Sequence, residues 1–348
     1  MCLQLELGLV NRRSLYFVGP RRVEVREERV PLPAPGEVVV RSIVSAISAG
    51  TEMLFYRHQL DEGIQLDATI PSLEGSFGYP FKYGYATVGR VVDRGAGVPR
   101  ELEDRLVFAF HPHESHFSSP IERLIPVPEG LAAEDAAMLP SMETAVSLAM
   151  DGAPLLGEDV LVVGQGVVGL LTTAVLARMP MGSLTALEQY PLRRKLSEEM
   201  GCDSCLDIVP CDELARSCPF GDRGADLTFE LSGNPDALDM ALRLTGFEGR
   251  VVLGSWYGNK IVHAHLGEAF HRRRLRIIGS QVSSISPSLS GRWNKERRLQ
   301  LSWEMVRRVR PSRLVTHRFE VDRAAEAYDL IDRGGDGVVQ VLLSYGGD

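Results

Sequence analysis

Three glycines spaced Gly-x-Gly-x-x-Gly (Gly164, Gly166 and Gly169) end the apolar run Val160-Leu-Val-Val and lead directly into a helical pattern. In a strand–turn–helix, the first glycine allows the tight turn and the second lets a pyrophosphate approach the backbone. The third lets the helix pack closely on the strand. The first helical residues, Val167 and Val168, then offer N–H groups and the positive end of the helix dipole to phosphates. Glu188 follows about one βαβ repeat later, where the ribose hydroxyls of a dinucleotide need an acceptor. A carboxylate there suits NAD and repels the 2′-phosphate of NADP. Arg193 and Arg194 pull the other way, because either could turn inward to a phosphate. NAD is the favoured reading, with NADP open.

A second group suited to chemistry is His111-Pro-His113-Glu-Ser-His116, a loop after an apolar strand. Imidazoles titrate near neutral pH and suit proton transfer. Three histidines could also bind a metal, although the proline and short spacing make a compact ligand set awkward. A purely structural loop is the third reading. Four of the five cysteines fall close together, at Cys202, Cys205, Cys211 and Cys218. The Cys-x-x-Cys start admits zinc, but the later spacings fit no familiar zinc knuckle. Small apolar side chains in a reducing compartment account for them better.

These residues need two kinds of framework. After a short N-terminal extension to Asn11, the chain to about Pro140 reads as mostly β. Alternation marks strands in Val23-Glu-Val-Arg-Glu, Glu37-Val-Val-Val-Arg-Ser-Ile-Val, Tyr85-Ala-Thr-Val-Gly-Arg-Val-Val-Asp and Arg105-Leu-Val-Phe-Ala-Phe. After Met142 the style changes. Short apolar strands at Val160–Val163, Ser183–Leu187, Asp226–Leu231 and Gly249–Leu253 are separated by helices at about Pro191–Met200 and Pro235–Leu244. That alternation implies a parallel, doubly wound sheet. From Ser286 an amphipathic helix carries Trp293 and Trp303, and a last strand from Val338 rejoins the first domain.

At 348 residues the chain has length for two cores. Its 44% hydrophobic and 24% charged residues are those of an ordinary globular protein, and the net charge of −8 leaves no basic surplus for nucleic acid. The longest uncharged run, Val160 to Ala177, approaches the length of a membrane span, but the dinucleotide motif explains it better. The N-terminus lacks the order of a signal peptide, so the cytoplasm is the expected location, with no membrane partner.

The sequence of a β-rich half, a dinucleotide fold and a return to the first half resembles the medium-chain dehydrogenase/reductase superfamily. The resemblance rests on Gly36-Glu-Val-Val-Val-Arg, Tyr83-Gly-Tyr-Ala-Thr-Val-Gly-Arg-Val-Val, the glycine trio, Gly224-Ala-Asp-Leu-Thr-Phe-Glu-Leu-Ser-Gly-Asn and Gly249-Arg-Val-Val-Leu-Gly. It implies an α/β protein with a GroES-like catalytic domain at 1–142 and 285–348, and a Rossmann domain at 143–284. It also implies a homodimer paired along the edges of the cofactor-domain sheets, and places Ser232, Gly254, Ser255 and Ser280 along the nicotinamide half. Trp256, Tyr257 and Trp293 either line a substrate wall or pack between domains.

The departures from the zinc alcohol dehydrogenases of that superfamily are specific. Ala49 stands where they keep a cysteine ligand, Tyr85 where they keep a histidine, and about Pro140 where they keep the third ligand. Alanine and proline have no ligand atom, so no catalytic zinc is expected. Ile47-Ser-Ala-Gly-Thr-Glu, Phe108-Ala-Phe-His-Pro-His, Gly254-Ser-Trp-Tyr-Gly and Gly279-Ser-Gln-Val-Ser-Ser-Ile-Ser-Pro resemble the zinc-free branch that contains bacteriochlorophyllide dehydrogenase. Without zinc, a side chain must stabilise and protonate the substrate oxygen. Tyr85 either does so or merely fills the vacated metal hole. By the same resemblance Thr51 is a relay hydroxyl, and Glu52 either orients the site or caps the next helix; His113 and His116 are the histidine candidates. Three functions fit: an NAD-linked dehydrogenase interconverting a secondary alcohol and a ketone, an NADPH-dependent enone or quinone reductase, and a dinucleotide-binding subunit without turnover.

Overall fold

The computed structural model describes residues 11–346; the N-terminal extension expected before the first strand lies outside them. The chain forms two compact units. The first runs to Met138 and takes the chain back at 315–334 and from Gln340 on; the second holds Leu139–Leu314 and Gly335–Val339.

The first unit opens with an antiparallel hairpin of β1 (Asn11–Gly19) and β2 (Arg22–Arg29). It continues through β3 (Glu37–Ala46), the short helix α1 (Thr51–Tyr56), β4 (Thr87–Arg94), β5 (Leu106–Ala109), β6 (His116–Pro120), β7 (Ile125–Pro126) and α2 (Ala133–Ala137). Val38 and Val40 of β3 pack with Val91, Val107 and Phe117, as the period-2 alternation requires. A second apolar cluster is aromatic. Phe17 stacks on Phe81 at 5.2 Å and meets Tyr328 edge-on at 5.3 Å, while Phe55 packs on Tyr83 at 4.4 Å.

The second unit runs α3 (Leu139–Gly152), β8 (Asp159–Val163), α4 (Val167–Leu176), β9 (Ser183–Leu187), α5 (Pro191–Met200), β10 (Ser204–Leu206), α6 (Cys211–Ser217), β11 (Ala225–Glu230), α7 (Ala237–Leu244), β12 (Thr245–Leu253), β13 (Arg276–Gly279) and α8 (Lys295–Val309). Its strands lie in the order β10-β9-β8-β11-β12-β13, all parallel. Val160, Val162, Phe229 and Val252 are buried on one face, Leu161, Val163, Leu187 and Val251 on the other. Both faces being covered, the strands read as unbroken apolar runs. Strand order reverses between β8 and β11, which opens a ligand crevice at their carboxyl ends. α5 has the bounds expected for it, because Pro191 suits its first position and Gly201 ends it at φ 105°.

The uncharged run from Val160 is thus β8, a turn and α4, and among the described residues no helix is long and apolar enough to cross a membrane. One boundary differs from expectation. Residues 285–314 were assigned to the GroES-like domain, yet they sit with the nucleotide unit, whose start also moves to Leu139. The physical reason is Arg298 of α8, 2% exposed, which pairs with Glu143 of α3 at 2.9 Å. It also donates to Ser147 Oγ at 2.9 Å and to the Val282 carbonyl at 2.6 Å.

The chain then returns to the first unit through β14 (Val315–Glu320), α9 (Ala324–Arg333) and β15 (Gln340–Ser344). β15 pairs antiparallel with β3, as the final apolar run led one to expect, and completes the sheet order β14-β15-β3-β4-β5-β7 with β6 also on β3.

Candidate functional site

In the second unit the glycine trio has the geometry that a dinucleotide turn requires. Gly164 has φ 90°, and a Cβ on it would stand 2.6 Å from Ser232 Cα. A Cβ on Gly169 would lie 2.0 Å from the Gly164 carbonyl oxygen, while around Gly166 the space is open. Gly166 is the extended N-cap of α4, so the N–H groups of Val167 and Val168 begin the helix. Glu188 ends β9 and is 5% exposed; Oε2 accepts from Gln165 N at 2.8 Å and Oε1 from Tyr190 N at 3.0 Å. Each oxygen keeps a further lone pair for a ribose hydroxyl.

Arg193 departs from the expectation that it could meet a phosphate. Its guanidinium donates to the Val338 carbonyl at 2.6 Å and lies over the Tyr190 ring at 4.9 Å. Arg194 is likewise turned to the backbone oxygens of Glu188 and Gln189, at 2.9 and 2.8 Å. At the other half of the sheet, Ser255 Oγ accepts from Gly233 N at 2.9 Å, and a Cβ on Gly254 would strike Leu231 at 2.5 Å. Ser280 Oγ donates to Asp151 at 2.6 Å. Of the three aromatic candidates, Trp256 is 48% exposed, Tyr257 is buried, and Trp293 lies 4.0 Å beneath the Arg297 guanidinium.

In the first unit, Tyr85 is half-buried and its hydroxyl bonds with the side chains of Ser48 and Thr51. Burial raises its pKa above the ordinary phenol value; the Ser48 and Thr51 bonds offset part of this, and the Glu52 and Asp67 charges add to it. The phenol therefore keeps its proton at neutral pH. Ser48 is fixed in turn: its Oγ accepts from Thr51 N at 3.2 Å, and its N–H donates to Glu52 Oε1 at 2.8 Å. Glu52 has no exposed surface, and Oε2 bonds with His113 Nε2 at 3.0 Å and accepts from the Tyr328 hydroxyl. The sequence thus brings together Tyr85, Thr51, Glu52 and His113.

His113 has a different place from the one expected of a proton carrier in a substrate loop. It is 0% exposed, and its Nδ1 bonds with Ser45 Oγ at 2.6 Å, which also bonds with Tyr345 Oη at 2.7 Å. Ser45, His113 and Glu52 make a hydroxyl–imidazole–carboxylate line whose three members have no exposed surface. The ring supports the Gly84–Tyr85 backbone instead: a Cβ on Gly84 would stand 2.6 Å from it. His116 is apart, on β6 opposite Arg41, with Ser115 Oγ at 3.2 Å; burial, with Arg41 and Arg13, lowers its pKa. His111 bonds with Glu114 at 2.9 Å and stacks on Phe117 at 3.9 Å.

Four partners of the Tyr85 cluster escaped the sequence reading: Ser45, Ser48, Tyr328 and Tyr345. Ser48 stood one residue before the position considered for a ligand, while Tyr328 and Tyr345 come from α9 and the segment after β15, with no local signal. Among the described residues no group of three His, Cys, Asp or Glu side chains could hold a metal, and Cys202, Cys205, Cys211 and Cys218 are free thiols. Beside Tyr85, Ala49 offers no ligand atom, and Glu52 Oε2 is already bonded to His113 and Tyr328.

The family described as zinc-binding dehydrogenase matches residues 167–299. L-threonine 3-dehydrogenase of Pyrococcus horikoshii is 25% identical over 92% of this chain and 95% of its own. Two solved structures share the fold. A short chain alcohol dehydrogenase (rspB) from Escherichia coli CFT073, complexed with NADH, has a TM-score of 0.76 at 19% identity, covering 97% of this chain and 100% of that one. A structure from Sinorhizobium meliloti described as a zinc-binding dehydrogenase, bound to NADP, has 0.75 at 18% identity, covering 96% and 99%. With the glycine turn, the doubly wound sheet and the returning β15, these matches support a likeness to the zinc-type alcohol dehydrogenase-like proteins of the medium-chain dehydrogenase/reductase superfamily, and they are consistent with an NAD(P)-dependent oxidoreductase.

Proposed function

We propose that this protein interconverts a secondary alcohol and a ketone without zinc, with Tyr85 as the proton donor and acceptor and NAD as the preferred cofactor. The observation that carries the reading is the Tyr85 hydroxyl, kept protonated by burial and aimed by Ser48 and Thr51. A bound nicotinamide supplies the hydride chemistry. Tyr85 Oη gives its proton to the carbonyl oxygen of a ketone; in the reverse direction the phenolate that this transfer leaves takes the proton back from the alcohol. Thr51 and Ser48 hold that hydroxyl in one orientation, and Glu52 fixes Ser48 through its backbone N–H. The preference for NAD is supported by the Glu188 carboxylate and by the two arginines beside it, both turned to backbone oxygens.

The test is turnover by protein purified with a chelator, against secondary alcohols with NAD and against enones and quinones with NADPH. Alcohol turnover that falls about 10²–10³-fold in Tyr85→Phe, with a small change in KM, is expected of a lost general acid. Turnover confined to enones or quinones would replace this reading with the reductase. Activity that vanishes with the chelator and returns with zinc would remove it.

A second copy of the chain is the partner we propose, paired along β13, which ends the parallel sheet and leaves Ile277 38% exposed. The free thiols suit a reducing, cytoplasmic compartment. Sedimentation of the purified protein tests the dimer.

A further inference from the structure

Glu230 ends β11 with 0% of its surface exposed. Oε1 accepts from Ser232 N at 2.8 Å and from the Ser232 hydroxyl, and Oε2 accepts from Tyr257 Oη at 2.6 Å. Behind these donors stand others. Asn234 N donates to Ser232 Oγ at 3.0 Å, Gly233 N donates to Ser255 Oγ at 2.9 Å, and Ser255 bonds with Tyr257. The carboxylate is the acceptor in all three of its own hydrogen bonds. The three direct donors are neutral, so they solvate the charge without cancelling it. Lys260, on the same loop, donates to the Gly233 carbonyl at 2.7 Å.

The position of this anion matters. A doubly wound sheet binds a dinucleotide outside the carboxyl ends of its strands, one nucleotide half on each side of the switch point. Gly164 and Ser232 approach so closely that the loops after β8 and β11 are the two lips of that crevice. Glu188 belongs to the β8–β9 side, so the second half, with the nicotinamide, lies over β11 and β12. Glu230 sits beneath that lip. The nicotinamide ring is a cation when oxidised and neutral when reduced, and a buried anion distinguishes the two.

We propose that Glu230 sets the relative affinity for the two oxidation states of the cofactor, holding the oxidised ring more tightly and making the bound reduced form the stronger hydride donor. It acts through charge and is a positioning residue rather than one that reacts. The proposal rests on the reading of this unit as a nicotinamide dinucleotide site.

Dissociation constants test it, measured by calorimetry for the oxidised cofactor, the reduced cofactor and ADP-ribose, using whichever pair (NAD or NADP) the wild type binds. In Glu230→Gln, binding of the oxidised form should weaken by about three- to tenfold relative to the reduced form, with ADP-ribose unchanged. Equal loss for all three ligands would make Glu230 a structural prop and overturn the proposal, as would no change in the ratio. Tyr257→Phe keeps the charge and should keep the ratio; a shift there matching that of Glu230→Gln overturns it as well. Wild-type protein that binds ADP-ribose but neither cofactor form would sink the nicotinamide reading itself.

Discussion

At Gly84 the backbone has φ 114°, and the His113 ring lies where any side chain would begin. Both facts exclude a Cβ, because left-handed φ strains an L-residue and the buried ring cannot retreat without losing Ser45 and Glu52. Gly84→Ala should therefore cost about 1–3 kcal/mol in stability and lower kcat by displacing Tyr85, the next residue. Thermal unfolding and steady-state kinetics on the same sample check this. An unchanged melting temperature with full activity would mean that the ring is not a support. That Tyr85 stands beside Thr51 and Glu52 was legible, since all three fall where the zinc alcohol dehydrogenases that the chain resembles keep site residues. The role of His113 was not. Its partner Glu52 is held by Tyr328, 276 residues further on, and its partner Ser45 by Tyr345, 300 further on. Contacts so distant leave no spacing to read.

The elements around the site are held by charge as well as by packing. The hairpin β1–β2 meets the loop 111–116 through Leu15 N, which donates to the His113 carbonyl at 3.0 Å, and through an ionic cluster beside it. Glu114 pairs with Lys82 at 2.6 Å and Arg12 at 3.3 Å, and Lys82 also holds Glu28 at 2.6 Å. Burial alone would raise the Glu114 pKa; His111, Lys82 and Arg12 outweigh it and bring it down to about 2. Burial lowers His111 as well, so at neutral pH the uncharged ring contributes its hydrogen bond to Glu114, and Lys82 and Arg12 supply the opposing charge. A depressed carboxylate contributes stability that is present above its unfolded value, near 4.5, and lost as pH falls toward 2. For Glu114 this amounts to about 3 kcal/mol. Glu114→Gln should destabilise the protein at pH 7 by an amount of that order and flatten the acid dependence between pH 4.5 and 2. Urea midpoints by circular dichroism at several pH values decide; parallel acid curves for variant and wild type would show that other carboxylates dominate. The strands of this region were legible from alternation, and α5 from its proline and glycine. The cluster was not, because Glu28, Lys82 and Glu114 come from three separate segments.

The chain as a whole divides where its charges are buried rather than where its motifs stop. Resemblance carried residues 285–314 with the C-terminal return, since nothing in Lys295–Val309 distinguishes one docking surface from another. Arg298 decides the matter: a guanidinium 2% exposed needs fixed acceptors, and it finds them on α3 and in the 282–284 segment. Removing one partner of such a pair leaves the other charge buried and unpaired, so Arg298→Met should cost about 3 kcal/mol or more. Glu143→Leu should cost less, because the arginine keeps Ser147 Oγ and the carbonyls of Val282 and Ser284. The double variant should recover part of the loss but not all of it, since those three acceptors stay without their donor. All three tryptophans, Trp256, Trp293 and Trp303, lie in this unit, so fluorescence-detected denaturation reports on it directly. Strictly additive losses in the double variant would mean that the ion pair holds nothing, and that apolar packing of Met305, Val306 and Val309 is enough to place α8 on the nucleotide unit.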